Sequence, residues 1–178
     1  NAVQPGTPMR MVADLKIGDF VLEATETVAG EPPPGMTHIV DTFKADAFVG
    51  AQEPSSAATA QMHDFALALP DEVKAGKQTW KVTNTGKQWH MMIIAKPKPG
   101  VSLDETLNAF MAEAPAGPPP FEIADIVAPM CEGEQVWVDF DLQPGVYLVI
   151  CPLPDFSGSD NPPKSHAAHG MHRLLTVK

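Results

Sequence analysis

The chain has 178 residues, 12 of them basic and 22 acidic, for a formal net charge of −10. A negative field of that size disfavours nucleic acid and anionic membranes and steers basic partners toward the surface. The hydrophobic fraction of 44% supports a packed core, and no apolar run is long enough for a membrane span. The first residue is Asn1 rather than Met. This leads us to expect loss of an N-terminal leader and an extracytoplasmic protein, with a trimmed start as the alternative.

Residues 1–10 read as an irregular arm, broken by Pro5, Gly6 and Pro8. GDFVLEATETV (18–28) has the Val, Thr and Phe content of a strand, and EPPPG (31–35) must end it. MTHIVDTFKADAFV (36–49) is ambiguous between helix and strand, and GAQEPSSAATA (50–60) reads as a linker. From Gln61 the pattern sharpens. MHDFALALP puts Phe65, Leu67 and Leu69 on one face of an expected strand, and a polar turn follows from Asp71 to Gly76. QTWKVTN (78–84) alternates through Trp80 and Val82, Asn84-Thr85-Gly86 turns, and WHMMIIA (89–95) forms the next strand. Ser102 with Glu105 three residues on is a capping box, opening a helix whose apolar face holds Leu103, Leu107 and Phe110. Gly117-Pro118-Pro119-Pro120 closes that excursion. QVWVDFDL (135–142) alternates strictly, Pro144-Gly145 turns, and VYLVIC (146–151) and MHRLLTV (171–177) complete the series. At least six strands with short turns and one helix predict an all-β sandwich.

Four residues near the ends of these strands form a coherent donor set: His90, Cys151, His166 and Met171. Two imidazoles, a thiolate and a weak axial thioether are the ligands of a mononuclear type 1 copper site. The flanking runs carry a family likeness. VTNTGKQWHMMII resembles the cupredoxin segment in which a strand ends in Asn and a turn leads to the first ligand His. DLQPGVYLVICP resembles the family's Pro-Gly-x-Tyr hairpin ending in the ligand Cys, and HAAHGMHRLLTV resembles its His-x4-Met leading into the closing strand. The pattern is most similar to plastocyanin-like domains with a helical insertion and a Cys-x-x-Pro-Asp stretch, here CPLPD (151–155). The resemblance spans residues 61–178. It implies a cupredoxin-like Greek-key β-sandwich with one inserted helix, preceded by an N-terminal extension over residues 1–60 that carries no motif. It also implies copper held by His90, Cys151, His166 and Met171.

One departure stands out: fourteen residues, PLPDFSGSDNPPKS, separate Cys151 from His166, against two to four in well-known blue copper proteins. Lengthening a loop adds only about 0.6 kcal/mol per doubling, but a long spacer needs other support to hold the second His in place. His169 competes for that position, since only Gly170 separates it from Met171. His172 is expected to point the other way, and His63 and His38 read as structural. Met171 could also be plain core, given nine methionines in the chain. A bridge between Cys131 and Cys151 would compete with copper. If Gln143–Gly145 forms a hairpin turn, Val136 lies near Cys151 and Cys131 lies about five residues beyond, too far at about 3.3 Å per residue; Cys131 then reads as a plain thiol.

No phosphate loop, dinucleotide fingerprint, Gly-x-Ser-x-Gly elbow or His-Glu-x-x-His motif is present. One set of ligands leaves no room for a multicopper enzyme. The expectation is a non-enzymatic copper protein that passes single electrons to a redox partner with a basic docking surface. The alternatives are a metal-free binding or structural module of the same fold, and a copper storage or delivery protein.

Overall fold

Where apolar residues alternate at period two, the chain is extended and half of its side chains face inward. The computed structural model describes residues 11–13, 15, 17–26, 36–46, 52–112 and 117–178. Two five-stranded sheets hold most of it. The first runs in the order β1 (Met11–Ala13), β10 (Gln135–Leu142), β7 (Gly76–Asn84), β4 (Ala58–His63) and β5 (Ala66–Ala68). The second runs β6 (Glu72–Val73), β12 (His172–Val177), β11 (Gly145–Ile150), β8 (His90–Pro97) and β9 (Phe121–Met130). The pairings β4–β7 and β6–β12 are parallel and the others antiparallel.

The sheets face each other across one core. Met62, Trp80, Val82, Phe140 and Leu142 from the first pack with Met92, Ile94, Tyr147, Val149 and Leu175 from the second, all buried. Trp80 and Phe140 meet edge to face, ring centroids 5.2 Å apart at 84°. The second sheet is covered on its other side as well. Ile93, Ala95, Leu148 and Ile150 pack beneath Leu103, Leu107 and Phe110 of α1 (Leu103–Met111), and Phe110 stacks on Phe121 at 4.1 Å. Burial on both faces is why the run YLVI (147–150) is apolar without alternation. The capping box is formed: the Ser102 hydroxyl accepts from the Glu105 N–H at 3.1 Å, and Glu105 accepts from the Ser102 N–H at 2.8 Å. The expected all-β sandwich with one inserted helix is the observed architecture.

Several local expectations are corrected. The run MHDFALALP is two strands, because Asp64 and Phe65 turn the chain between β4 and β5, with Phe65 at φ 63°. The 50–60 linker ends at Ala58, where β4 begins, and the polar turn from Asp71 contains β6. Strand β9 does not stand out in the sequence. It lies at a sheet edge, its pairing with β8 shifts register twice, and it carries Pro129, which an edge tolerates. Strands β10 and β11 are not a hairpin: the chain crosses from one sheet to the other at Gln143–Pro144. The Tyr147 hydroxyl ties that corner by donating to the Gln143 carbonyl at 2.6 Å. Val136 therefore pairs with Val82 rather than lying beside Cys151. Both cysteines are free, Cys131 exposed and Cys151 buried.

Residues 14–53 form a separate unit. Within it β2 (Gly18–Glu26) pairs antiparallel with β3 (Met36–Ala45), with a bulge after Leu22, and Phe20 stacks on Phe43 at 5.4 Å. The ambiguous 36–49 stretch is thus strand as far as Ala45. Residues 1–10, read as an arm, lie outside the described residues. Among the described residues no helix is long and apolar enough to cross a membrane.

Two substitutions separate core from cap. Phe140→Ala should lower unfolding free energy by about 3–5 kcal/mol, whereas Ser102→Ala should cost about 1 kcal/mol. Urea denaturation followed by tryptophan fluorescence measures both. Equal losses would contradict this division.

Candidate metal centre

The register of β8 against β11 sets the site. Ile93 pairs with Ile150, so Cys151, one residue past the strand, comes level with Met92 and within reach of the chain entering β8. The Met91 N–H points at the Cys151 sulfur, 3.5 Å away. His90 is the first residue of β8. His166 opens a short 3-10 turn, His166–His169, that Ser165 caps by accepting from the Ala168 N–H at 3.2 Å.

The long spacer is pinched at its base. The His166 N–H donates to the Leu153 carbonyl and the Asp155 N–H to the Lys164 carbonyl, both at 2.7 Å, around a bridge between Pro154 and Ser165. The path from Cys151 to His166 therefore runs across an antiparallel bridge, with the intervening residues as an outer loop. Asp155 braces that loop by accepting from the Ser157 N–H at 2.8 Å and hydroxyl at 2.6 Å. These bonds hold its carboxyl below the usual carboxylate range.

Three donor atoms converge as a result. Nδ1 of His90 lies 3.1 Å from Nδ1 of His166, and the Cys151 sulfur lies 3.5 Å from Nδ1 of His166. One donor atom from each of the three residues falls within 4.8 Å of the others, and all three side chains are buried. The outer ring nitrogens are held by acceptors. Nε2 of His90 donates to Oδ1 of Asp64 at 3.0 Å, and Nε2 of His166 donates to Oε1 of Gln88 at 3.2 Å. The amide nitrogen of Gln88 faces the Ser157 hydroxyl at 3.4 Å, which orients its oxygen toward His166.

With both Nε2 atoms donating outward, Nδ1 is the ring atom that faces the other imidazole and, for His166, the sulfur. Burial, reinforced by the neighbouring His90, pushes the His166 pKa down and keeps that ring neutral. Burial likewise pushes the Cys151 thiol up, outweighing hydrogen bonds from the Met91 and Leu153 N–H groups. Burial alone would also raise the pKa of Asp64, but hydrogen bonds from Gln88, His90 and Lys87 outweigh it and hold the carboxyl down. Two ring nitrogens and a sulfur that converge in a buried site can hold a cation. Metal bonds of about 2.0–2.3 Å from a shared centre place donors about 3–4 Å apart, as the His90–His166 and Cys151–His166 pairs are. Two imidazoles and a thiol point to copper among the common metals.

Met171 is buried, and its main chain is tied to both neighbours. Its N–H donates to the His166 carbonyl at 3.0 Å, and its carbonyl accepts from the Cys151 N–H at 3.1 Å. His169 is not part of the cluster; it is 32% exposed and faces Asp155 at 3.5 Å. His63 shares a hydrogen bond with the Thr85 hydroxyl at 2.7 Å. The side chain of His38 lies outside the described residues. Sequence reading missed Asp64 and Gln88, which hold the two rings, and treated Asn84 only as the start of a turn. Asn84 is fully buried and donates to the Gln88 and Met130 carbonyls, both at 2.8 Å, anchoring the loop before His90.

No family model matches this chain, and no curated protein does. Solved structures do. The chain is similar to a dithionite-reduced auracyanin from Roseiflexus castenholzii, at 22% identity over 67% of this chain and 94% of that one, with a TM-score of 0.43. It is similar to auracyanin A of Chloroflexus aurantiacus, described as a "blue" copper protein, at 22% identity over 67% and 96%, with a TM-score of 0.45. Rusticyanin from Thiobacillus ferrooxidans matches at 18% identity over 68% and 75%, with a TM-score of 0.42.

The two thiols should differ sharply in reactivity, because the thiolate is the nucleophile and Cys151 is buried with a raised pKa. Metal-free native protein at neutral pH should react with Ellman's reagent once and rapidly, at Cys131. The second thiol should appear only on unfolding. Two fast thiols would mean that the site is open to solvent.

Proposed function

We propose that this protein is a one-electron carrier built around a single type 1 copper ion that His90, Cys151, His166 and Met171 would hold. The observation that carries the reading is the convergence of three buried donor atoms from His90, Cys151 and His166 within 4.8 Å. Copper, when bound, supplies the Cu(II)/Cu(I) couple, and thiolate with imidazole suits it. The chain supplies a shell that has little freedom to move. Each imidazole is fixed by a hydrogen bond at its far nitrogen, and Cys151 by strand pairing and the bond from Met91. The sandwich packs the site on the core side, since Cys151 and Met171 belong to the main hydrophobic cluster. A shell that stays the same in both oxidation states keeps the reorganisation cost of electron transfer low.

The outer edge of the site is close to solvent. A surface depression over His166 is lined by Gln88, Trp89, Leu153, Pro154 and Phe156, and Trp89 and Phe156 are exposed. A redox partner docked there would approach the His166 ring. The net charge of −10 favours a partner with a basic face. An extracytoplasmic location belongs to the same proposal, because the thiol pool of the cytosol would compete for copper.

Titration of the metal-free protein with Cu(II) tests the reading. One equivalent should bind with an intense visible thiolate-to-copper absorption, and Cys151→Ser should abolish the colour. His166→Ala should weaken binding and alter the spectrum. Colourless binding that survives Cys151→Ser would favour storage or delivery. No stoichiometric uptake would favour the metal-free module.

A further inference from the structure

Asp64 supplies no atom to the converging donors, yet one of its oxygens organises the approach to them. Oδ1 accepts from His90 Nε2 at 3.0 Å, from the Lys87 N–H at 3.0 Å and from the Gln88 N–H at 3.1 Å. The carboxylate thus grips both the ring of His90 and the loop that leads into it. The loop is bound to the same strand end again, since the Thr85 and Gly86 N–H groups donate to the Met62 carbonyl at 2.8 and 3.1 Å.

Two further features are shaped around this contact. A Cβ on Gly86 would lie 2.5 Å from Asp64 Oδ1, 2.6 Å from His90 Nε2 and 2.8 Å from the Asp64 nitrogen, so only glycine fits against the pair. Phe65, next in sequence, holds a left-handed backbone at φ 63°, a conformation that costs a bulky residue energy. From that turn its ring meets His166 edge-on at 5.6 Å and lies 4.9 Å from His169. Adjacent residues of one tight turn therefore address both imidazoles, Asp64 by hydrogen bond and Phe65 by packing.

We propose that Asp64 is the positioning residue of the centre: its carboxylate fixes the His90 tautomer with Nδ1 inward and strengthens that imidazole as an electron donor, favouring Cu(II) over Cu(I). This rests on the copper reading above. A carboxylate behind a ligand imidazole orients the ring and raises its basicity. Negative charge near the metal also stabilises the higher oxidation state. Gln88 plays the corresponding part for His166 as a neutral acceptor, so the two rings receive unequal support.

Asp64→Asn tests this with little change in shape, and Asp64→Ala is the harsher comparison. In metal-free wild-type protein, nitrogen-edited NMR should show His90 protonated at Nε2, with that proton far downfield through its bond to a charged acceptor. In Asp64→Asn the proton should move upfield while the fold is retained, and in Asp64→Ala the tautomer preference should be lost. In copper-loaded protein both variants should lose Cu(II) affinity, by about ten- to a hundredfold. The reduction potential should rise by about 59 mV for each tenfold loss of preference for Cu(II). An unmoved His90 resonance in folded Asp64→Asn overturns the positioning role, and an unmoved potential overturns the tuning role. Wild-type protein that takes up no copper sinks the copper reading and the tuning role with it, while the metal-free resonance still decides the positioning role.

Discussion

One backbone hydrogen bond, from the His166 N–H to the Leu153 carbonyl, makes the rest of the site possible. Without it His166 would sit at the end of a fourteen-residue spacer with many accessible positions. With it, and the neighbouring Asp155–Lys164 bond, the two flanks of the spacer are zipped together. The entropy of the outer loop is then separated from the geometry of the donors. The slow growth of loop-closure entropy with length makes the extra residues tolerable, and the bridge makes them irrelevant to the ring's position.

The same logic of fixing a group from behind governs the imidazoles. A buried histidine can turn either nitrogen inward, and which one faces the site is set by what the other can bond. Asp64 and Gln88 place acceptor oxygens at the outer nitrogens, so each ring turns its Nδ1 inward, that of His166 toward both His90 and the sulfur. The fold therefore brings the two Nδ1 atoms to 3.1 Å beside the buried Cys151 and Met171.

The sandwich also explains why the donors are inaccessible yet close to the surface. Strands β8 and β11 are covered on both faces, by the opposite sheet and by α1 with Phe121. Side chains at the ends of these strands inherit that rigidity. The polar neighbours come instead from loops at the same end of the sandwich: the β4–β5 turn, the Asn84–Trp89 stretch and the loop after Cys151. Those loops are knotted by hydrogen bonds, chiefly through Asn84, Asp64 and Asp155. The site thus joins apolar strands that resist movement to a polar rim that sets protonation.

By itself the sequence determined the alternating strands, the capped helix and the choice of His90, Cys151, His166 and Met171 as residues to be read together. These are local properties: period-two alternation, a Ser–Glu capping pair and short motifs at strand ends are carried by neighbouring residues. Only the tertiary structure decided the partners of those residues. Edge strand β9, with its proline and register shifts, has no period to betray it, and the change of sheet between β10 and β11 looks the same in sequence as a hairpin. Nothing local marks Asp64 as the acceptor for a ring 26 positions later, or brings His166 to His90 and Cys151 while His169 faces Asp155. Those outcomes depend on parallel pairing of β4 with β7 and on the bridge across the spacer. Contacts between residues distant in the chain leave no periodic trace, so they become visible only when the backbone is folded.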